Sequence, residues 1–170
     1  MRIKRLLILI LLIFLVATCV VTIFSIPTFP SLQYLSIVEK YCNEYEVDVY
    51  IVLATIEIES GGNKYATSKV GAMGLMQLMP NTAQWMATKL GVEIVDYYDE
   101  ETNIMLGVAY INYLKDRFSG DFLFCAYNAG EGVVKEWIKN GGEILYPETK
   151  AYVVKMNNMV RKLKNYIYLY

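Results

Sequence analysis

An all-α fold is predicted for most of this 170-residue chain, preceded by one transmembrane helix. Three observations carry that expectation. Residues 6–26 are almost wholly apolar. Beyond residue 35, apolar side chains recur at helical spacing between Gly, Pro, Asn and Asp breaks. Strand-like alternation is absent or very short.

The N-terminus opens with Arg2, Lys4 and Arg5, and no further charged residue occurs before Glu39. An apolar span of about 20 residues matches a bilayer core of roughly 30 Å. It is longer than the apolar region of a cleaved signal peptide, and Thr22-Ile23-Phe24-Ser25-Ile26-Pro27 offers no clean small-x-small cleavage site. Residues 1–26 are therefore read as a signal anchor, 27–34 as a linker and 35–170 as one domain. The three basic residues stay on the cytoplasmic side, which puts the domain outside the cell membrane. Thr18 before Cys19 disfavours a lipoprotein site.

Within the domain, Ser36–Tyr45 carries Ile37, Val38, Tyr41 and Cys42 on one helical face. Asp48 caps a strongly apolar helix from Val49 to about Ser60, which Gly61-Gly62 ends. Residues 63–74 form a loop. Pro80 opens a helix that stops at Gly91. Residues 92–103 form an acidic connection, and 103–118 an amphipathic helix closed by Ser119-Gly120. Shorter helices follow at 122–129 and 133–139, and a final one runs over 148–166.

Three of the 16 basic residues precede the linker and all 17 acidic residues follow it, so the domain carries about four net negative charges. That balance is wrong for nucleic acid, whose phosphates demand a cationic face. The chain has no histidine, which excludes Ser-His-Asp triads, Cys-His dyads and most zinc sites. Cys42 and Cys125 read as buried thiols in separate helices rather than a disulfide.

Glu59 ends the apolar helix. Neighbouring apolar surface and the negative end of the helix dipole both favour its protonated form, as a general acid requires. Glu57 lies two residues earlier and faces roughly the opposite side, as a solvated or capping residue. Gln77 is a polar group among Leu75, Met76, Leu78 and Met79, and Tyr127-Asn128 places a hydroxyl beside an amide at a helix end.

In order along the chain stand Glu59-Ser60, Gly71-Ala72-Met73-Gly74-Leu75-Met76-Gln77-Leu78-Met79-Pro80, Asn103-Ile104 with Leu106-Gly107, Ala126-Tyr127-Asn128-Ala129-Gly130, and Glu148-Thr149-Lys150-Ala151-Tyr152-Val153. This series resembles the soluble-lytic-transglycosylase (SLT) catalytic domain, from about Leu35 to Asn165. The resemblance implies a lysozyme-like helical fold. It also implies cleavage of the N-acetylmuramic acid to N-acetylglucosamine bond of peptidoglycan with a 1,6-anhydro product, by a monomer, with no metal or cofactor. It assigns Glu59 as the catalytic acid and base. It further assigns Ser68, Gln77, Met79, Tyr127, Asn128 and Tyr152 to the substrate groove. Gly62, Lys64 and Lys150 depart from the family's frequent aromatic, Pro and Arg. The alternatives are a muramidase of the goose-type lysozyme kind, which needs water and usually a second carboxylate, and a non-catalytic wall-binding scaffold. Asp96, Asp99, Glu100 and Glu101 form the only acidic cluster and read as a solvated loop. The basic face Lys155, Arg161, Lys162 and Lys164 also reads as solvated.

Overall fold

The computed structural model describes residues 10–16 and 28–169. Residues 10–16 are helical, and their large apolar side chains remain 53–68% exposed. No helix among the described residues is long and apolar enough to cross a membrane. The remainder of the expected anchor, 1–9 and 17–26, lies outside the described residues.

From Phe29 on, the chain folds as expected into helices. A 3₁₀ turn, Pro30–Tyr34, leads into α1 (Leu35–Tyr45) and α2 (Val49–Glu59). A long loop follows, then α3 (Pro80–Leu90), α4 (Glu100–Lys115), α5 (Asp121–Ala129), α6 (Glu131–Lys139) and α7 (Pro147–Leu169). The only β features among the described residues are two isolated bridges in the loop, Thr67 with Met73 and Met73 with Leu78. The turn at 30–34 differs from the linker reading. Its Ser31 and Tyr34 are buried, so the packed domain begins before Leu35.

Helix α2 is the central element. Val52, Leu53, Ala54 and Ile56 are fully enclosed between α1 and α7. Each large side chain among them contributes about 1.5–3 kcal/mol by leaving water. Its start is fixed by Asp48, whose Oδ1 accepts the Tyr50 N–H at 2.8 Å. The other carboxylate oxygen of Asp48 meets Lys164 Nζ of α7 at 3.1 Å. Asp48→Ala is expected to destabilise the domain by about 1 kcal/mol through the lost cap, with little added by the exposed ion pair. Thermal unfolding should register this as a drop of roughly 3–5 °C.

Helix α4 departs from the sequence reading in two ways. It begins at Glu100, three residues before the expected start, because Asp99 caps it by accepting the Thr102 N–H at 2.8 Å. Glu100 and Glu101 then sit in its first turn, where the helix dipole favours acids. Nor is it one-sided. Asn103, Ile104, Leu106, Gly107, Val108, Ala109, Ile111 and Leu114 are all buried, because α1, α3 and α5 pack around it. Cys42 and Cys125 are free and buried, as expected, and burial pushes their thiols up to about 12 and about 11.

Candidate active site

The loop between α2 and α3 is held by α4 and by its own polar groups. Asn103, 4% exposed, accepts the Met76 N–H at 2.8 Å and donates to the Met73 and Tyr97 carbonyls at 3.1 and 3.0 Å. The loop lies so close to α4 that a Cβ on Gly74 would overlap the Asn103 amide, and one on Gly107 would overlap Met76. Glycine at 74 and 107 is therefore a condition of docking. Gln77 adopts φ 47, uncommon for a residue with a side chain. Its Nε2 donates to the Ala66 and Gly74 carbonyls at 3.0 and 2.9 Å, which stabilises that conformation. Two carbonyl acceptors require the nitrogen on this side, so Oε1 points away from them and remains an acceptor. Ser68 closes a smaller loop. Its N–H donates to the Ala72 carbonyl at 2.9 Å and its Oγ accepts the Ala72 N–H at 2.9 Å.

Glu59 occupies the last position of α2, half-buried. Burial raises its pKa above the usual carboxylate range, opposed by a hydrogen bond from Tyr152. The Tyr152 hydroxyl donates to Glu59 Oε1 at 2.7 Å across 93 residues of sequence. Tyr152 is itself buried on α7, and its hydroxyl is held well above its ordinary pKa by burial and by the Glu59 carboxylate. The Tyr127 hydroxyl responds in the same way to burial and to Glu59, so both phenols remain neutral donors beside the acid. Tyr127 donates to the Met76 carbonyl at 2.7 Å. Its hydroxyl is thus committed to the loop, leaving its ring to meet a ligand. Asn128 is exposed, and its Oδ1 accepts the Thr149 hydroxyl at 2.9 Å, which frees its amide N–H groups for a ligand. Met79 stands 43% exposed just before α3.

The sequence-selected residues therefore act in different ways, with Asn128 and Met79 left facing solvent. Glu59 and Tyr152 are bonded directly, with Tyr127 in the same electrostatic field. Gln77, Ser68 and Tyr127 build the loop through backbone bonds. Two contributors were not among the selected groove residues. Thr149, fully buried in the first turn of α7 and one turn before Tyr152, sets the Asn128 amide. Asn103 sets the loop. Each is a buried polar residue in a helix, a signal visible in sequence only once burial is known.

The other carboxylates are occupied elsewhere. Glu57 accepts the Ser31 N–H at 2.6 Å and so caps the 3₁₀ turn. Asp99 caps α4, Asp96 accepts the Tyr98 N–H at 2.8 Å, and Glu100 and Glu101 pair with Lys64 and Lys40. Two sequence departures acquire local reasons. Lys64 makes the Glu100 pair, and Gly62 lies against Pro30, where a Cβ would meet the proline ring at 2.6 Å.

Tyr152→Phe should raise the Glu59 pKa further, because the lost hydrogen bond favoured the ionised form. The alkaline limb of the pH–rate profile is expected to move to higher pH, with a lower maximal rate.

The transglycosylase SLT domain profile matches residues 36–146, which covers α1 to the approach to α7. The chain belongs to this family. A soluble lytic murein transglycosylase of Escherichia coli K12 is 33% identical over 138 residues, covering 72% of this chain and 21% of that protein. A membrane-bound lytic murein transglycosylase C of Histophilus somni is 29% identical over 156 residues, covering 79% of this chain and 43% of the relative. This SLT chain thus spans about a fifth to two-fifths of the length of those relatives. In structure it resembles an inactive Glu-to-Gln mutant of the lytic transglycosylase Slt from Pseudomonas aeruginosa. The TM-score is 0.69 at 27% identity, over 76% of this chain and 24% of the other.

Proposed function

We propose that this SLT domain is a peptidoglycan lytic transglycosylase whose acid and base are the same group, Glu59. One observation carries the reading: a half-buried carboxyl of raised pKa, held through one oxygen by Tyr152, while the nearby carboxylates serve other partners. The inactivity of a Glu-to-Gln mutant in the Pseudomonas relative supports it.

Protonated Glu59 gives its proton to the oxygen bridging N-acetylmuramic acid and N-acetylglucosamine. The muramic C1–O bond breaks, and positive charge develops at C1. The Tyr152 hydroxyl then steadies the new carboxylate. That carboxylate takes the proton of the muramic 6-hydroxyl, whose oxygen bonds to C1 and closes the 1,6-anhydro ring. Glu59 is protonated again and no water is consumed. Proximity favours the internal hydroxyl over solvent. Gln77 Oε1, the Asn128 amide and the Tyr127 ring are the groups we assign to hold the sugars, with Met79 and Ser68 shaping the groove.

Digestion of purified sacculi tests this. Muropeptides one water lighter than reducing-end products support transglycosylation. Reducing ends would identify a hydrolase, and an intact sacculus a binding scaffold. We further infer that residues 1–26 anchor the domain on the outer side of the cell membrane. The apolar run 6–26 and the exposed side chains of 10–16 support this, since large apolar surface requires a cover. Retention of the full chain in membranes after alkaline carbonate washing is the expected result.

A further inference from the structure

The C-terminal half of α7 has a feature that peptidoglycan cleavage does not use. After Glu148 the helix contains Lys150, Lys155, Arg161, Lys162 and Lys164 and no acidic residue, although the domain as a whole is acidic. Lys150 and Lys164 have carboxylate partners in Glu143 and Asp48. Lys155, Arg161 and Lys162 are exposed and make no ion pair among the described residues. Residues 155, 158, 159 and 162 share one helical face. With Ile58 of α2 they line an open recess of about 290 Å³. Arg161 joins this face, because its Nη2 donates to Asn158 Oδ1 at 2.9 Å. Lys155 and Lys162 therefore line a recess together with the apolar Ile58 and Met159, and the Arg161 guanidinium sits beside it on Asn158.

Further along the same helix, α7 meets the chain as it arrives from its apolar N-terminal segment. Phe29, among the first residues after that segment, packs edge-on against Tyr166 of α7 at 5.2 Å. Residues 166–170 read Tyr-Ile-Tyr-Leu-Tyr, and tyrosine is the residue type enriched at the headgroup level of bilayers. Tyr152, bonded to Glu59, is fourteen residues earlier on the same helix, about 20 Å along its axis. The Tyr166 end of α7 is thus membrane-proximal if the anchor is, and the recess lies between that end and the carboxyl, with Lys155 one turn from Tyr152 and Ile58 next to Glu59.

We propose that the Lys155–Lys162 recess, with Arg161 beside it, docks on the phosphodiester headgroups of anionic phospholipids, so that α7 holds the domain in one orientation at the bilayer surface. This rests on the anchor reading. It does not depend on the chemistry at Glu59. Each cation near an anionic surface contributes roughly fivefold to the bound population, so three contribute on the order of 100-fold.

The test places the full-length chain in nanodiscs of phosphatidylcholine alone or of equal parts phosphatidylcholine and phosphatidylglycerol, and follows amide hydrogen exchange. Amides of residues 155–167 are expected to exchange at least about tenfold more slowly in the anionic discs, with the loop at 66–78 unchanged. K155Q/R161Q/K162Q should abolish the difference while leaving the melting temperature and glycan cleavage in detergent unchanged. If that variant does not fold, the comparison of the two discs for the native chain decides alone. Equal exchange in both discs, with the chain incorporated in each, overturns the docking and leaves the anchor standing. Failure to incorporate in either disc overturns both. Protection that appears in phosphatidylcholine discs only when a soluble glycerol-phosphate polymer is added overturns the lipid as ligand.

Discussion

Glu59→Gln should lower glycan cleavage by at least about a thousandfold while raising the melting temperature. The loss follows from the role: glutamine neither gives a proton to the glycosidic oxygen nor takes one from the 6-hydroxyl, and general acid–base groups contribute about 10²–10⁴-fold. The gain follows from burial. The native pKa of Glu59 lies above its unfolded value, because the carboxylate is poorly solvated in the fold. Its contribution to stability is therefore full at pH below the ordinary carboxylate range and is lost as pH rises through the raised native value. Glutamine removes that loss. The stabilisation should be about 1 kcal/mol near neutral pH and vanish in acid, which a series of melts across pH would follow. A variant that loses activity yet melts lower at neutral pH would contradict the role of burial at this site. A variant that retains activity would remove Glu59 from the chemistry.

Asn103→Leu is expected to have the largest effect on the fold among the polar positions. Leucine is close in volume, so the test removes hydrogen bonds with little cavity. It removes the partner of the Met76 N–H and the Tyr97 carbonyl, while the Met73 carbonyl keeps the Leu78 N–H at 3.1 Å. Buried groups left unpaired cost about 1–3 kcal/mol each, and for these two partial relaxation of the loop brings the sum to about 2–4 kcal/mol. Urea unfolding should show it as a lower midpoint at similar slope. Activity should fall further than stability alone requires, because the Met76 carbonyl that holds Tyr127 and the Gln77 backbone belong to the same loop. Native activity in a folded Asn103→Leu domain would show that α4 does not position the site.

Much of this organisation is legible before any coordinates. Asp48 before an apolar run, Pro80 and Gly91 around another, and Gly130 after a third set α2, α3 and α5 to within a residue, because caps and breakers act through local backbone geometry. The start of α4 lies three residues before the position that its apolar pattern predicts, because an Asp cap and two first-turn glutamates make a helix beginning from an acidic run that equally fits a loop. The ordered blocks around Glu59, Gln77, Tyr127 and Tyr152 point to the family, since a shared descent keeps the order of motifs along the chain.

The amino-acid sequence by itself determined the helical class, the capped boundaries and the family, because each depends on residue type at short range or on a series of motifs. Only the tertiary structure decided which groups touch Glu59 and which polar atoms remain open to a ligand. It brought Tyr152 to the carboxyl from 93 residues away, committed the Tyr127 hydroxyl and Gln77 nitrogen to backbone carbonyls, and turned Glu57 to the Ser31 amide. Hydrogen-bond partners and burial are properties of packed surfaces, and packing joins residues whose separation along the chain carries no record of the contact.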